Sequence, residues 1–221
     1  MAEEERAFAL QRARMVEQQL RARGIQDERV LAAMNKVPRH LFVPEELRGA
    51  AYEDRALPIG YGQTISQPYM VGVMLEMLDV HDTHKVLEVG AGSGYQAALL
   101  GELAREVYAV EIIEPLHHRA AQILGQLGYT NVHVVLGDGT LGLAEHAPFD
   151  RIIVAAACPE IPPPLIEQLA DGGRVVAPVG RRGCQECVVG VKHGDQLELA
   201  KTIGCVFVPL IGQHGWKRRA W

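Results

Sequence analysis

At 221 residues and 24.2 kDa, with 48% apolar residues, the chain can bury one core of generous size and is too apolar to stay disordered. A net charge of −5 and a pI near 6.0 exclude the basic footprint that sequence-independent nucleic-acid binding needs. The acidic start Met1-Ala2-Glu3-Glu4-Glu5-Arg6 lacks a signal-type apolar core and no apolar run reaches spanning length, so a cytoplasmic protein without a membrane partner is expected.

The first third is irregular. Ala7–Arg23 has helical spacing, with Phe8, Leu10, Met15, Val16 and Leu20 among Gln and Arg, and Gly24 is a plausible stop. Asp27 can cap a second helix, Glu28–Lys36, that ends before Pro38. Pro38 through Pro68 is rich in Pro, Gly and aromatic residues and has no clear period. That is long for an idle connection, which points to function. Its last part, Gly60 to Met70, leads into a helix over Pro68–Leu78. Ser66 is expected at the N-cap of that helix. A helix N-terminus carries free N–H groups and a positive dipole end, so a substrate carboxylate can bind there, held by the Ser66 or Thr64 hydroxyl. The plainer alternative makes Ser66 a cap and nothing more.

From Lys85 onward strands and helices alternate. Lys85–Val89 reads as a strand, Tyr95–Ala104 as its crossover helix and Val107–Glu111 as the next strand. Pro115 suits the first turn of a helix running to Leu127. Asn131–Leu136 and Arg151–Ala156 are further strands, and Pro162-Pro163-Pro164 introduces a helix, Leu165–Ala170, stopped by Gly172-Gly173. Arg174–Val179 is a fifth strand. Glu186–Lys192 and Leu197–Ile203 form a hairpin around His193-Gly194-Asp195. The pattern is α/β: a mostly parallel sheet with an antiparallel edge.

Within this alternation the run Val86–Tyr95 breaks an apolar strand into Gly90, Gly92 and Gly94 and then becomes a helix. Dinucleotide enzymes place the last glycine one residue later to seat a pyrophosphate. The G-x-G-x-G spacing favours a nucleoside ligand without pyrophosphate, with S-adenosylmethionine the leading candidate. Glu111, about 20 residues past the first glycine, can accept from both ribose hydroxyls. Asp138, in Gly137-Asp138-Gly139, can accept from an adenine amino group. Glu88, beside the loop, can reach a methionine ammonium through a water. Each has a structural alternative: a dipole-favoured acid for Glu111, an Asp-Gly turn for Asp138. Their register with the strand order favours the ligand.

Four cysteines make no disulfide framework in a chain this long. Cys184 and Cys187 form a C-x-x-C without the further ligands a metal needs, so no metal is expected and both read as small apolar residues in and beside a strand. Lys217-Arg218-Arg219 reads as a solvated tail.

The chain closely resembles the protein-L-isoaspartate O-methyltransferase family, from its N-terminal helices almost to its end. The resemblance rests on Pro38-Arg39-His40-Leu41-Phe42-Val43-Pro44, Ala56-Leu57-Pro58-Ile59-Gly60 and Gly62-Gln63-Thr64-Ile65-Ser66-Gln67-Pro68. It continues in Val86–Tyr95, Gly137-Asp138-Gly139, Ile161-Pro162-Pro163 and Phe207-Val208-Pro209-Leu210. The glycine loop is shared with many methyltransferases; the Gln-Thr-Ile-Ser and Phe-Val-Pro-Leu segments are far more specific.

The resemblance implies a Rossmann-like, doubly wound fold of the class I S-adenosylmethionine-dependent methyltransferases, with an N-terminal helical extension and an antiparallel C-terminal hairpin. It implies one domain over residues 1–221, with an N-terminal helical and substrate segment at 1–84 and a donor-binding core at 85–221. Ser66 corresponds to the active-site serine, with a positioning role. Gln63, Thr64, Ile65 and Ser66 flank the methyl donor, and Gly90, Gly92, Gly94, Glu111, Asp138 and Gly139 match donor-binding positions, to which the place of Glu88 beside the loop adds a further donor-binding residue. Val208, Pro209 and Leu210 hold the backbone of a damaged protein or peptide. Two departures stand out: Ala155-Ala156-Ala157 where a threonine is expected first, and Cys187 at a usually larger aliphatic position.

The implied reaction moves a methyl group from S-adenosylmethionine, leaving S-adenosylhomocysteine, to the α-carboxylate of an L-isoaspartyl residue; the ester then collapses through a succinimide. The rival readings are a methyltransferase acting on a small molecule or RNA, an NAD-dependent oxidoreductase, and a non-catalytic module that binds damaged peptides. A monomer is expected, because no long apolar stripe is left over once the core is assigned.

Overall fold

The computed structural model describes residues 2–217, so Arg218 and Arg219 of the basic tail lie outside the described residues. Helix α1 (Ala2–Met15) runs into a wide turn over Val16–Leu20 and a tight one over Arg21–Arg23, and Gly24 ends it at φ 98°. It starts before Ala7 because Glu3, Glu4 and Glu5 favour a helix N-terminus while offering no apolar period to read. Helix α2 (Glu28–Lys36) begins where Asp27 accepts from the Arg29 amide, as its sequence predicts.

The segment after Pro38 is not structureless. Two short 3₁₀ turns (Arg39–Phe42 and Glu45–Ala50) lead into a small hairpin of β1 (Leu57–Gly60) and β2 (Gln63–Ile65). Its tip, Gly60-Tyr61-Gly62, has φ of 90°, 55° and 69° at successive residues. Helix α3 (Pro68–Leu78) follows. Its C-terminal carbonyls are covered by arginines: Arg174 donates to Met77 O at 2.8 Å, Arg151 to Asp79 O at 3.0 Å and Arg29 to Val80 O at 2.8 Å.

The alternating part comprises β3 (Lys85–Val89), α4 (Tyr95–Leu103), β4 (Glu106–Glu111), α5 (Glu114–Gln126) and β5 (Val132–Leu136). It continues with β6 (Phe149–Val154), α6 (Pro163–Gln168), β7 (Leu169–Arg181), β8 (Cys184–His193) and β9 (Gln196–Cys205). Seven strands make one sheet in the order β5-β4-β3-β6-β7-β8-β9, parallel from β5 to β7 and antiparallel through β8 and β9. One sequence boundary fails: α6 ends at Gln168, and Gly172-Gly173 lie inside β7 at a register irregularity instead of stopping a helix.

Both faces of the sheet are covered, which is why β3 is apolar at nearly every position. Val86 faces one cluster with Phe42, Leu75 and Leu99, and Leu87 and Val89 face the other with Phe149, Ile152 and Leu165. The chain runs outward from β3 through β4 to β5, then returns to β6 on the other side of β3. The carboxyl ends of β3 and β6 therefore flank the crevice where an open α/β sheet takes its ligands.

Candidate active site at the carboxyl edge of the sheet

The glycine loop is held at both ends by backbone bonds. Gly90 N and Ala91 N both donate to Val110 O, at 2.9 and 3.1 Å. Gly94 has φ 85°, and a Cβ there would lie 3.1 Å from Ala120 Cβ, so its lack of a side chain lets α4 start against α5. Gly139 admits a second close approach: its Cβ would fall 2.7 Å from Val89 Cγ1. These two positions pack the loop closely, Gly94 against α5 and Gly139 against the end of β3, so neither can carry a side chain without a shift.

Three carboxyl groups surround it. Glu111 is buried; its Oε2 accepts from Gly92 N at 2.7 Å and its Oε1 from Ile113 N at 2.8 Å. Asp138 Oδ1 accepts from Thr140 N and Oγ1 at 2.9 and 2.7 Å, and its Oδ2 from Gln213 N at 2.7 Å. The turn role read for Asp138 is thus real, and it extends to the C-terminal segment. An ionised carboxylate has about four acceptor sites, so both groups keep lone pairs for a ligand. Glu88 differs. It is fully buried, Oε1 accepts from Gln96 Nε2 at 3.0 Å, and Oε2 has no partner. Burial pushes its pKa well above the usual carboxylate range, against a small opposing effect of the Gln96 hydrogen bond. An orphaned buried oxygen beside the glycine loop suits a ligand that brings a polar group to it.

The substrate side corrects one expectation. Gln67, not Ser66, occupies the N-cap of α3, without a side-chain cap, and Pro68 takes the first helical position. Ser66 stands one residue outside, its carbonyl accepting from Arg39 Nη2 at 2.8 Å. Its hydroxyl has no hydrogen-bond partner among the described residues and is free for a ligand. A cleft of about 390 Å³ opens here, lined by Thr64, Ser66 and Met70 from one segment and Cys205, Phe207 and Val208 from another.

The remaining predicted residues take distinct places. Val208 O accepts from Ala157 N and Leu210 N donates to Ala157 O, both at 2.7 Å, which ties this stretch to the end of β6. Leu210 is buried and anchors it, and Pro209 bridges to Ala157. Ile65 packs into the core, while Gln63 and Thr64 stay at least partly exposed. The hairpin abuts the glycine loop: a Cβ on Gly92 would meet Ile59 Cδ1 at 3.5 Å, and Arg119 donates to Ile59 O at 2.7 Å.

Sequence reasoning passed over Ile112 and Leu136. Both are apolar and exposed, at 46% and 45%, at the carboxyl ends of β4 and β5 beside Glu111 and Gly137. Their signal was adjacency to those two residues. The C-x-x-C splits, with Cys184 exposed and Cys187 in the core, and among the described residues no group of His, Cys, Asp and Glu is placed to hold a metal.

Residues 11–215 match the family model described as protein-L-isoaspartate(D-aspartate) O-methyltransferase. The chain is 58% identical over 207 residues to a protein-L-isoaspartate O-methyltransferase of Methanoculleus marisnigri, covering 94% of each chain. It is 53% identical over 212 residues to one of Syntrophus aciditrophicus, covering 95% of this chain and 97% of the other. A solved protein-L-isoaspartate O-methyltransferase superposes with a TM-score of 0.83 at 29% identity, over 92% of this chain and 67% of that one. A Plasmodium falciparum protein solved with S-adenosyl-L-homocysteine shares the fold, with a TM-score of 0.79 at 23% identity over 90% and 98% of the two chains.

Proposed function

The chain belongs to the protein-L-isoaspartate(D-aspartate) O-methyltransferase family, and from that premise we propose how its residues perform the family's reaction. The protein is an S-adenosylmethionine-dependent methyltransferase that esterifies the α-carboxyl of L-isoaspartyl residues in damaged proteins and peptides, the first step of repair through a succinimide. S-adenosylmethionine supplies, when bound, a methyl group activated on a sulfonium.

The donor site comprises Gly90, Gly92, Gly94, Glu88, Glu111, Asp138 and Gly139, with Gln63, Thr64 and Ile65 closing it from the hairpin. Glu111 accepts from the ribose hydroxyls with its unused lone pairs, Asp138 faces the base, and Ile112 and Leu136 offer apolar surface to it. Glu88 directs its unpartnered oxygen toward the methionine ammonium. This assignment is supported by that orphaned oxygen and by the close packing that Gly94 and Gly139 allow at the carboxyl ends of the strands.

The acceptor carboxylate binds at Ser66. A carboxylate, with a reference pKa of ~4, is already ionised at neutral pH, so the chain needs no general base. Ser66 and Thr64 orient the carboxylate, Val208, Pro209 and Leu210 hold the peptide backbone, and the cleft walls exclude water while opposite charges neutralise. Alignment of the reacting atoms removes roughly 7–11 kcal/mol of barrier in favourable cases. The observation that carries the reading is the cleft lined by both Ser66, whose hydroxyl is unbonded, and the segment Cys205–Val208.

The finer setting is proposed too: one catalytic domain on the length of 221 residues, no nucleic-acid partner on the net charge of −5, a cytoplasmic place on the acidic start without an apolar signal core, and a monomer because no long apolar stripe is left over once the core is assigned. Among the described residues no helix is long and apolar enough to cross a membrane.

Transfer of labelled methyl to an isoaspartyl peptide, compared with its aspartyl twin, tests the function. Labelling of the isoaspartyl peptide alone is expected; equal labelling of both, or of neither, overturns it.

A further inference from the structure

Arg39 is the largest fully buried side chain among the described residues. It sits in the 3₁₀ turn after α2, far in sequence from the glycine loop. Its Nε donates to Ala51 O at 2.7 Å and its Nη2 to Ser66 O at 2.8 Å. The guanidinium carbon lies 4.9 Å from the centroid of the Tyr95 ring. Tyr95 is the first residue of α4, directly after Gly94, and Phe42 packs on its edge at 5.6 Å. Arg39 Nη1 and the Tyr95 hydroxyl are both buried without a hydrogen-bond partner.

The fold alone does not explain this residue. A methionine or leucine fills such a space without the cost of desolvating a cation. No carboxylate stands against the guanidinium among the described residues; burial lowers its pKa to about 10, with only Tyr95 and Tyr52 opposing that effect. What the guanidinium does supply is geometry. Its rigid fork reaches two main-chain carbonyls from separate segments while its face covers an aromatic ring, which a lysine cannot do. The three groups it joins are the Ala51 turn, the main chain of Ser66, and the residue that closes the glycine loop.

We propose that Arg39 is a positioning residue for methyl transfer, holding the main chain of Ser66 in register with the donor loop through Tyr95. The inference rests on the reading of Ser66 as the acceptor-binding residue. Arg39 does not touch the reacting atoms. That separation suits the chemistry, because a cation bound directly to the acceptor carboxylate stabilises the charge that the transfer must quench. A misplacement of about 1 Å at a reacting group costs on the order of 100-fold in rate, so a tether of this kind is felt in turnover.

The test compares Arg39→Met, Arg39→Lys and Arg39→Ala with the wild-type protein. It follows methyl transfer to an isoaspartyl peptide, S-adenosylhomocysteine binding by calorimetry, and thermal unfolding. Arg39→Met is expected to lose about 100-fold in kcat while retaining S-adenosylhomocysteine affinity, because the donor loop keeps its own bonds to Val110 and Glu111. Arg39→Lys is expected between it and the wild type, and added methylguanidinium is expected to restore part of the turnover of Arg39→Ala. Wild-type kcat in Arg39→Met, a donor affinity that falls in step with turnover, or no rescue by methylguanidinium overturns the proposal. If Arg39→Met unfolds, Arg39→Lys carries the same kcat and affinity comparison. A wild-type protein that leaves the isoaspartyl peptide unlabelled overturns the function itself, a separate outcome.

Discussion

Glu111 Oε2 accepts a 2.7 Å hydrogen bond from the Gly92 amide, so the carboxylate proposed to face the ribose also fixes the middle of the glycine loop. Its second oxygen holds the Ile113 amide at the start of α5, leaving the group with little freedom to swing. Glu111→Ala therefore removes a loop anchor and a ligand acceptor together. Hydrogen bonds to a charged group contribute about 1.5–3 kcal/mol, so donor affinity is expected to fall by about 10- to 150-fold per bond lost. Glu111→Gln keeps one acceptor oxygen and should fall between. Calorimetric titration with S-adenosylhomocysteine checks both, and wild-type affinity in Glu111→Ala would remove the residue from the donor site.

Glu88 predicts a pH dependence of the opposite kind from a paired acid. Its folded pKa is raised by burial, above the value near 4.5 it takes when unfolded. Below that value the carboxyl is protonated in both states and costs nothing. As pH rises past it, the unfolded chain releases the proton while the folded one keeps it, and stability falls until the folded pKa is reached. Glu88→Gln removes this slope. The unliganded variant should unfold at a higher temperature than the wild type at pH 7, with the gap closing toward pH 4, and it should bind S-adenosylhomocysteine more weakly. Parallel unfolding curves across that range would show that Glu88 is ionised in the folded protein.

How much of this was legible follows from what sequence patterns encode. The run from Lys85 to Leu136 reads correctly because β-branched strands, glycine breaks and proline at a helix start are local signals, and Glu111 and Asp138 fall at strand ends by the same logic. The hairpin of Leu57–Gly60 and Gln63–Ile65 is silent: its strands are too short to show alternation, and Pro58 argues against one. Ser66 stands one residue before the cap because Pro68 takes the first helical position and leaves the cap to Gln67. Arg39 stands in the motif Pro38–Pro44, which by itself gives it no role. Its partners are the carbonyls of Ala51 and Ser66, and no side-chain pattern announces a bond to a distant main chain.

Ser66→Ala separates binding from turnover. The Ser66 hydroxyl makes no bond that the fold needs, since Gln67 occupies the cap and the tether to Arg39 uses the Ser66 carbonyl. The variant should therefore fold with an unchanged unfolding temperature and bind donor normally. Loss of one preorganised hydrogen-bond donor at a reacting centre costs about 10²- to 10³-fold in kcat, and a loss of that order is expected in the methyl-transfer assay. Turnover near the wild-type rate would sink the role given to the hydroxyl.

Asp138 couples the two halves of the site. Its Oδ1 holds the turn at Gly139–Leu141, its Oδ2 holds the Gln213 amide, and Thr140 Oγ1 accepts from the His214 amide at 3.1 Å. Trp216 N in turn donates to Leu210 O at 2.7 Å, so the turn from Gly212 to Gly215 closes back onto the stretch proposed to hold the peptide. Asp138→Ala should cost about 1 kcal/mol as a lost cap, a small global effect. Locally it releases the Gln213 amide outright and frees Thr140 to turn away from His214. Hydrogen exchange at these two amides should speed up while that of β3 and β4 stays slow, and KM for an isoaspartyl peptide should rise together with the donor Kd. A variant that weakens donor binding alone, with unchanged exchange at Gln213 and His214, would mean that Asp138 serves the base and that the C-terminal segment is held by Leu210 without it.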